Sequence, residues 1–362
     1  MERAIPFSLE NGRIILEAEI NGTKGRFMWD SAAHGSFANI QFDNLTPVVE
    51  DDDIVNISHL NASIETKKYW LDELIVGGVE LKTHSMIVGA PEIIKQKILD
   101  VEGVDGILGL TIFEGYWVEI SFSRKAIVLH KKKPERYAQS VPAEIVNEEF
   151  LCVPVAIDGE EVNFAIDTGM PHSLRFPRSI VRQSEEGGER VLSLDPVKEA
   201  RFVKTHSITI LDERVENKFV LTNSYISAHG LGLIGIGFLQ NYDLLLDLAT
   251  LRDHETTAVY YESIVRPEER RYVPYSWFDK APESGILTYG ALPDGTVILI
   301  DIFENSAART MFGLEPGVVV SKVDGNPARD FFESAGLDET TSEIAVVENG
   351  VERIVRRENA NP

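Results

Sequence analysis

Two short stretches of the chain place an aspartate directly after an apolar run, where a carboxylate could do chemistry. The first is "FMWDSA", which carries Asp30, and the second is "FAIDTG", which carries Asp167. Two carboxylates held about 3 Å apart cannot both ionise at low cost, so they share a proton, and one acts as general base while the other acts as general acid. Such a pair can activate a water and protonate a leaving amine without a metal or a cofactor. Hydrolysis of a peptide bond is the reaction that this chemistry suits.

The two aspartates belong to an internal repeat, which is stronger evidence than either motif alone. A single Asp-Thr-Gly is expected by chance in roughly one chain in ten of this length. Here residues 20–36 align without a gap to residues 157–173, at a shift of 157 − 20 = 137, and the aspartates fall on each other. Residues 106–121 align to residues 232–247 at a shift of 232 − 106 = 126. Because two different segments recur in the same order, the sequence predicts duplication of a whole unit of about 120 residues.

The elements that must position these aspartates have the pattern of β-strands. In each copy an apolar run is followed by an Asn-Gly or Asp-Gly turn and by a second run that ends in the aspartate. Other short runs, such as "DIVNISHL" and "ARFVKTHSITI", indicate further strands. The predicted fold class is therefore mainly β, with two β-barrel lobes related by a pseudo-two-fold axis. Equivalent points meet near such an axis, so Asp30 and Asp167 are predicted to lie side by side.

The residues that flank the aspartates suit this arrangement. The apolar runs before them would bury the pair, which favours sharing of a proton over ionisation of both groups. Ser31 and Thr168 carry hydroxyls that can hydrogen-bond between the two loops. Gly169 lets backbone approach backbone closely, and glycines in the second repeated segment would let a later strand pass close to each loop.

This pattern resembles the retropepsin-like and pepsin-like aspartic peptidases. In that family a hydrophobic-hydrophobic-Asp-Thr/Ser-Gly motif is followed by a Gly-Ile/Leu-Leu/Ile-Gly segment that packs under the aspartate loop, as "GILG" and "LIGIG" stand here. The resemblance covers roughly residues 5–262 and implies two fused lobes that are active as a monomer. It implies that Asp30 and Asp167 are the catalytic dyad. The residues that would support them are Ser31, Ala32, Thr168 and Gly169.

Two residues of the first motif depart from the family pattern. Ala32 stands where the family has glycine, and Trp29 stands where it has a small aliphatic residue. A misplacement of the dyad by about 1 Å costs on the order of a hundredfold in rate. A second interpretation therefore stays open, in which the lobes have lost catalysis and serve as a peptide-binding or scaffolding module.

A stretch between the first aspartate and its glycine segment has the pattern expected of a flap, the hairpin that closes over substrate in this family. The stretch is "NISHLNASIETKKYW", residues 56–70, and its polar character suits a mobile hairpin. Tyr69 is either a contact of such a flap or an ordinary aromatic residue on the face of a strand.

The C-terminal part resembles a bacterial PDZ domain. "SAA", "GL", "PG", "VDG" and a final proline follow one another between residues 306 and 327, as in that family's recurrent pattern. Such domains add a peptide as a strand at a sheet edge and hold its carboxylate with backbone amides. The resemblance implies that Gly285, Ile286 and Leu287 form the carboxylate-binding loop, and the alternative is a PDZ fold that binds no peptide. The predicted domains are two lobes (1–138 and 139–262), a linker (263–284) and a PDZ-like domain (285–362).

Composition and charge limit the classes of partner. The chain is 43% hydrophobic and carries a net charge of −23, which argues against nucleic acid because binding phosphates needs a cationic surface. A polypeptide substrate, with a C-terminal peptide as ligand of the PDZ-like domain, is the predicted partner. Cys152 is the sole cysteine, so neither an intrachain disulfide nor a cysteine-rich metal site is expected.

The sequence predicts a soluble protein. No apolar run reaches the length of about 18 residues that a membrane span needs, and the N-terminus "MERAIPFSLE" lacks the features of a signal peptide. Export to a bacterial periplasm or envelope, with removal of a signal, stays open.

Overall fold

The computed structural model of the chain describes the greater part of the sequence and shows a mainly β protein, as predicted. It contains two compact units. Unit 1 consists of Met1–Val155, Val162–Ser173 and Leu231–Tyr272, and unit 2 consists of Ala156–Glu161, Leu174–Gly230 and Val273–Pro362. The described residues are 3–10, 12–33, 35–38, 55–59, 62–66, 68–71, 73–81, 86–89, 103–147, 150–177, 191–195, 200–205, 207–211, 213–216, 219–222, 231–249, 256–266, 286–291, 295–302, 311–314, 318–334, 341–348 and 350–357.

The strands of the first repeat are short and closely spaced. They are β1 (Arg3–Pro6), β2 (Ser8–Glu10), β3 (Arg13–Ile20), β4 (Thr23–Asp30), β5 (Ser36–Ala38), β6 (Val55–His59), β7 (Ala62–Thr66), β8 (Lys68–Trp70), β9 (Leu74–Val76), β10 (Val79–Leu81), β11 (Met86–Gly89), β12 (Gly106–Gly109), β13 (Trp117–Ser121) and β14 (Ala126–His130). A single 3₁₀ turn, Leu110–Phe113, follows β12 directly.

The second repeat continues in the same manner. Its elements are β15 (Gln139–Val146), β16 (Phe150–Ile157), β17 (Glu160–Asp167), β18 (Leu174–Arg175), β19 (Val191–Asp195), β20 (Ala200–Lys204), β21 (Ser207–Ile210), β22 (Glu213–Glu216), β23 (Phe219–Thr222), β24 (Gly232–Gly235), helix α1 (Ile236–Leu239), β25 (Tyr242–Asp247) and β26 (Thr256–Ser263). The short helix α1 follows β24 as the 3₁₀ turn follows β12.

Unit 1 contains two large sheets. In the first, neighbouring strands follow the order β1-β14-β13-β25-β26-β15-β16-β17-β24, and in the second they follow β10-β9-β3-β4-β12-β5-β11-β8, with β2 beside β3. Strands β6 and β7 form a separate antiparallel pair. The first sheet brings strands of both repeats together through β13 and β25, whose register runs from Trp117–Asp247 to Ile120–Leu244.

The predicted repeat is visible in the strand pairing. Strand β12 runs parallel to β4 and pairs its final glycine, Gly109, with Asp30. Strand β24 runs parallel to β17 and pairs Gly235 with Asp167 in the same register. Each aspartate therefore ends one strand and has a glycine as its neighbour on the next.

A buried carboxylate lies within unit 1 away from these aspartates. Glu119, on β13, has 1% of its side chain exposed and forms ion pairs with Arg124 and Arg136. It also forms a hydrogen bond with His130. The distance from His130 Nε2 to Glu119 Oε2 is 2.9 Å. Both arginines are about half exposed, so their guanidinium groups join the buried carboxylate to the surface. The cluster thus links β13 to β14 through His130 and to the segment after β14 through Arg136.

In unit 2, strands β18-β23-β20-β19 are neighbours in that order, and β21 pairs with β22. The C-terminal part forms its own six-stranded sheet in the order β27-β28-β29-β31-β32, with β30 beside β29. Its elements are β27 (Ile286–Ala291), β28 (Val297–Ile302), β29 (Val319–Val323), β30 (Asn326–Pro327), helix α2 (Ala328–Ser334), β31 (Glu343–Glu348) and β32 (Val351–Arg356). Its buried core is Val297, Leu299, Phe312, Leu314, Val320, Val323, Ala328, Ile344 and Val346.

The predicted domain boundaries are not tested by these units. Of the predicted linker, residues 267–284 lie outside the described residues, as does Gly285. In the part of the chain that the structure describes, no helix is long and apolar enough to cross a membrane.

Candidate active site

Two hairpins deliver the aspartates, β3–β4 for Asp30 and β16–β17 for Asp167. In β4 the residues Phe27 and Trp29 are fully buried, and in β17 Phe164 is fully buried. The apolar ends of these strands therefore anchor the loops that follow. Asp167 is 7% exposed, whereas Asp30 is half-buried.

A glycine beneath each loop lets a later strand pass close to the backbone of that loop. A Cβ at Gly109 would lie 2.5 Å from the Ala33 carbonyl oxygen, and a Cβ at Gly235 would collide with that of Met170. Those same carbonyls accept hydrogen bonds at 2.8 Å from the next backbone N–H groups, of Leu110 and Ile236 respectively. Gly109 of "GILG" and Gly235 of "LIGIG" are thus needed because a larger residue would collide with the loop above. This agrees with the close approach that the sequence indicated.

Each aspartate is oriented by its own loop. Asp30 Oδ1 accepts the backbone N–H of Ala32 at 2.9 Å, and Asp167 Oδ1 accepts that of Gly169 at 2.9 Å. These matched bonds fix the direction in which each carboxylate leaves the backbone and stabilise its charged form.

Four hydrogen bonds join the two loops reciprocally. Ser31 Oγ donates to the Ile166 carbonyl at 2.6 Å, and Thr168 Oγ1 donates to the Trp29 carbonyl at 2.8 Å. Each hydroxyl also accepts the backbone N–H of the other residue, at 2.9 Å for Ser31 N and 3.0 Å for Thr168 N. Because both hydroxyls are buried, they hold the two loops together without competition from water.

The carboxyl group of Asp30 lies against the second loop. A Cβ built on Gly169 would be 2.6 Å from both Cγ and Oδ2 of Asp30. Gly169 is also the residue whose N–H binds Asp167. The two carboxylates therefore converge on one glycine, one at its α-carbon and the other at its amide.

The first loop differs at the equivalent position, where Ala32 carries a methyl group. This methyl does not separate the loops, since all four hydroxyl-mediated bonds keep lengths of 2.6 to 3.0 Å. It does make the two loops unequal, because the Asp30 carboxyl lies against Gly169, whereas the equivalent residue of the first loop is alanine.

Trp29, the other departure from the family pattern, points into the core. Its ring is 0% exposed and contacts Phe113 edge to face, with ring centroids 5.3 Å apart. Successive side chains of a strand point to opposite faces, so the indole lies on the face of β4 opposite to the Asp30 carboxylate. The indole therefore does not fill the space beside that group.

Sequence reasoning missed one contact of the second loop. A Cβ on Gly12, in the turn between β2 and β3, would be 2.7 Å from Cβ of Pro171. The turn packs directly on the loop that carries Asp167. The "NG" at residues 11–12 is a recognisable turn signal, but nothing in the sequence says what the turn contacts.

The predicted flap stretch contains a hairpin. Strands β6 and β7 pair from Val55–Thr66 to His59–Ala62. Tyr69 lies on β8, is half-buried and pairs with Ile87 of β11. Its position is that of an aromatic residue on a strand face.

The residues predicted to hold a peptide carboxylate are only partly described. Ile286 begins β27, and the register with β28 shifts between Ile286 and Thr288, so Leu287 lies at an irregularity of the strand pair. Strand β27 is at one edge of the C-terminal sheet.

No family model matches the chain, and no curated protein matches it. An aspartic proteinase from Irpex lacteus is similar in structure, with 12% sequence identity and a TM-score of 0.47 over 73% of this chain and 97% of that chain. Basic 7S globulin from soybean is similar with 12% identity and a TM-score of 0.44 over 72% of this chain and 95% of that chain. One of these proteins is named as a proteinase and the other as a globulin.

Proposed function

We propose that this protein is an aspartic endopeptidase in which Asp30 and Asp167 activate the water that hydrolyses a peptide bond. The observation that carries this proposal is the reciprocal bonding of the two loops through Ser31 and Thr168. It fixes two carboxylates of opposite repeats around the single residue Gly169.

The chemistry follows from a dyad that holds one proton. The ionised member removes a proton from water as the water oxygen attacks the carbonyl carbon, and the protonated member donates to the carbonyl oxygen. The newly protonated member then gives its proton to the amide nitrogen, while the other member takes a proton from a hydroxyl of the tetrahedral intermediate. The C–N bond breaks, and the pair again holds one proton. Water is consumed, an acid and an amine are released, and no cofactor takes part.

The surroundings of the aspartates support this chemistry. Buried apolar strand ends lie behind both loops, and Asp167 is nearly inaccessible. A poorly solvated site disfavours two adjacent negative charges and so favours a shared proton. The rigid loops hold the carboxylates in place before substrate binds, which lowers the cost of reaching the transition state.

The hairpin β6–β7 and the C-terminal sheet have proposed roles in binding the polypeptide substrate. The hairpin is the candidate flap over a bound polypeptide. The C-terminal sheet would act as a PDZ-like domain that binds or presents substrate by strand addition at β27, a mode that uses backbone hydrogen bonds along an exposed edge. Its closed apolar core and the edge position of β27 support this role.

One observation favours a second candidate function, a peptide-binding module without catalysis. The methyl of Ala32 occupies the position at which the other loop has Gly169 to receive a carboxyl group. If that methyl displaces Asp167, hydrolysis is lost, whereas the two lobes still bind extended peptides.

Digestion of a mixed-peptide library, read by mass spectrometry, separates the two candidates. We expect the wild-type protein to cleave, and we expect Asp30→Asn and Asp167→Asn each to lower the rate by a factor on the order of 10³ or more, since each removes one half of the acid–base pair. Circular dichroism checks that both variants keep the fold. A folded wild-type protein that cleaves no peptide between about pH 3 and pH 8 would favour the binding module.

A further inference from the structure

The C-terminal sheet ends in an edge strand with exposed apolar side chains. Among the described strands, β32 pairs with β31 and with no other. Val351 and Ile354 of β32 are 67% and 49% exposed. An edge strand presents unpaired backbone groups, which makes it a template for pairing with another strand.

The side chains of β32 divide between two faces. Val355 packs against the core of the sheet, so its neighbours at odd-numbered positions share that face. Glu352, Ile354 and Arg356 lie on the opposite, outer face. That face therefore has an isoleucine flanked two residues away by one acid and one base. Within their own chain Glu352 pairs with Lys322 and Arg356 pairs with Glu343. Such pairs at the surface contribute little to stability, so both charges are accessible to a second copy.

This pattern is self-complementary in one antiparallel register. Two facing residues of an antiparallel strand pair have their side chains on the same face of the sheet. In a two-fold dimer of β32 the facing residues must therefore be an even number of positions apart. The two-fold axis then passes through the residue midway between them. With the axis at Ile354, each Glu352 lies opposite the Arg356 of the other copy, and Ile354 meets its own copy. Opposite charges directly across a strand pair are stabilising, whereas like charges are destabilising.

The neighbouring registers bring like charges together. With the axis at Arg353, that arginine lies opposite its own copy, and with the axis at Val355, Arg353 lies opposite Arg357. With the axis at Glu352, two glutamates meet. Only the register centred on Ile354 has opposite charges in facing positions and avoids like charges in them.

We propose that β32 is a self-association surface, through which two copies of this chain pair antiparallel about Ile354 and join their C-terminal sheets. The surface is at the edge opposite to β27, so the inference is independent of peptide binding and of catalysis. A single strand pair buries less surface than a stable interface needs, and the chains carry a net charge of −23 each. The dimer is therefore expected to be weak.

Cysteine cross-linking tests the register directly. Facing residues of an antiparallel pair have Cα atoms about 4.5–5.5 Å apart, within the range of about 4.4–6.8 Å that a disulfide spans, so Ile354→Cys is expected to give a covalent dimer under mild oxidation. Val351→Cys is the matched control, because residue 351 would be about 20 Å from its copy. The native Cys152 does not compete, since it is 0% exposed and burial raises the pKa of its thiol to about 12.

Cross-linking of both variants to the same extent, or of neither, would overturn the proposal. A difference of at least tenfold in dimer yield, with Ile354→Cys the higher, is the expected result.

Charge reversal provides a second, non-covalent test on the full chain. Glu352→Arg alone and Arg356→Glu alone each put like charges in facing positions, so sedimentation velocity is expected to show monomers at concentrations where the wild type dimerises. In an equal mixture of the two variants, residue 352 of each chain faces a residue 356 of opposite charge on the other chain. The mixture is therefore expected to form a heterodimer. Variants that self-associate as the wild type does, or a mixture that stays monomeric, would contradict the assigned register.

Discussion

Gly169→Ala is expected to abolish peptide cleavage, whereas Ala32→Gly is expected to increase it. A Cβ at residue 169 would be 2.6 Å from Cγ of Asp30, so the carboxyl group must move by about 1 Å, which costs at least on the order of a hundredfold in kcat/KM. Ala32→Gly removes the methyl at the equivalent position of the first loop, so that both loops then carry glycine there. We expect a gain of several-fold, on the order of 1 kcal/mol in transition-state stabilisation.

The measurement is kcat/KM on the best peptide from the library, with the thermal midpoint of each variant as a check on folding. Gly35→Ala is the control, since it adds a methyl to the loop that carries Asp30, at a position where a Cβ would meet nothing within 4 Å. We expect this control to stay within about twofold of the wild type. If Gly169→Ala cleaves as fast as Gly35→Ala, the Asp30 carboxyl does not rest on Gly169 during catalysis.

Glu119→Gln is expected to lower the free energy of unfolding by about 3 kcal/mol. The substitution keeps the shape of the side chain but removes the charge that pairs with Arg124 and Arg136 and accepts the hydrogen bond with His130. Loss of one partner from a fully buried pair costs about 3–5 kcal/mol, and the half-exposed arginines place this case at the lower end because water can solvate them again. Urea unfolding followed by tryptophan fluorescence measures the change, at equal slope between variants.

Two controls isolate the buried charge. Glu135→Gln alters an exposed glutamate of the neighbouring segment and is expected to change stability by less than about 0.5 kcal/mol. Arg124→Gln leaves Glu119 with two partners and is expected to cost about 1 kcal/mol. A cost for Glu119→Gln no larger than that for Glu135→Gln would show that the ion pairs contribute nothing to folding.

The repeat made much of the candidate site predictable from sequence. Asp30 and Asp167 align because both end a strand that follows a tight turn, and the glycines downstream align because each must pass beneath such a loop. Alternation and turn residues are local signals, and they identified the hairpins around each aspartate. The crossing bonds of Ser31 and Thr168 were predictable because hydroxyls at equivalent positions of two facing loops have each other's backbone within reach.

Other features depend on contacts between distant segments. Glu119 is one acid within an apolar strand, and its partners come from a turn, from β14 and from the chain beyond β14. No short pattern identifies such a set, since the sheet register must be known first. The same holds for Gly12 beneath Pro171. The exposed edge at β32 also could not be inferred, because the order of strands decides which one lies outermost.

The pH dependence of kcat/KM for wild-type cleavage, from about pH 3 to about pH 8, tests the central claim most directly. A dyad that works with one shared proton is active when the pair holds one proton and inactive when it holds two or none. The account therefore predicts a bell-shaped profile, with both limbs absent from Asp30→Asn and Asp167→Asn, because neither variant retains the pair. A rate that rises steadily with pH, or cleavage that survives in both variants, would contradict a carboxylate dyad as the source of the activity.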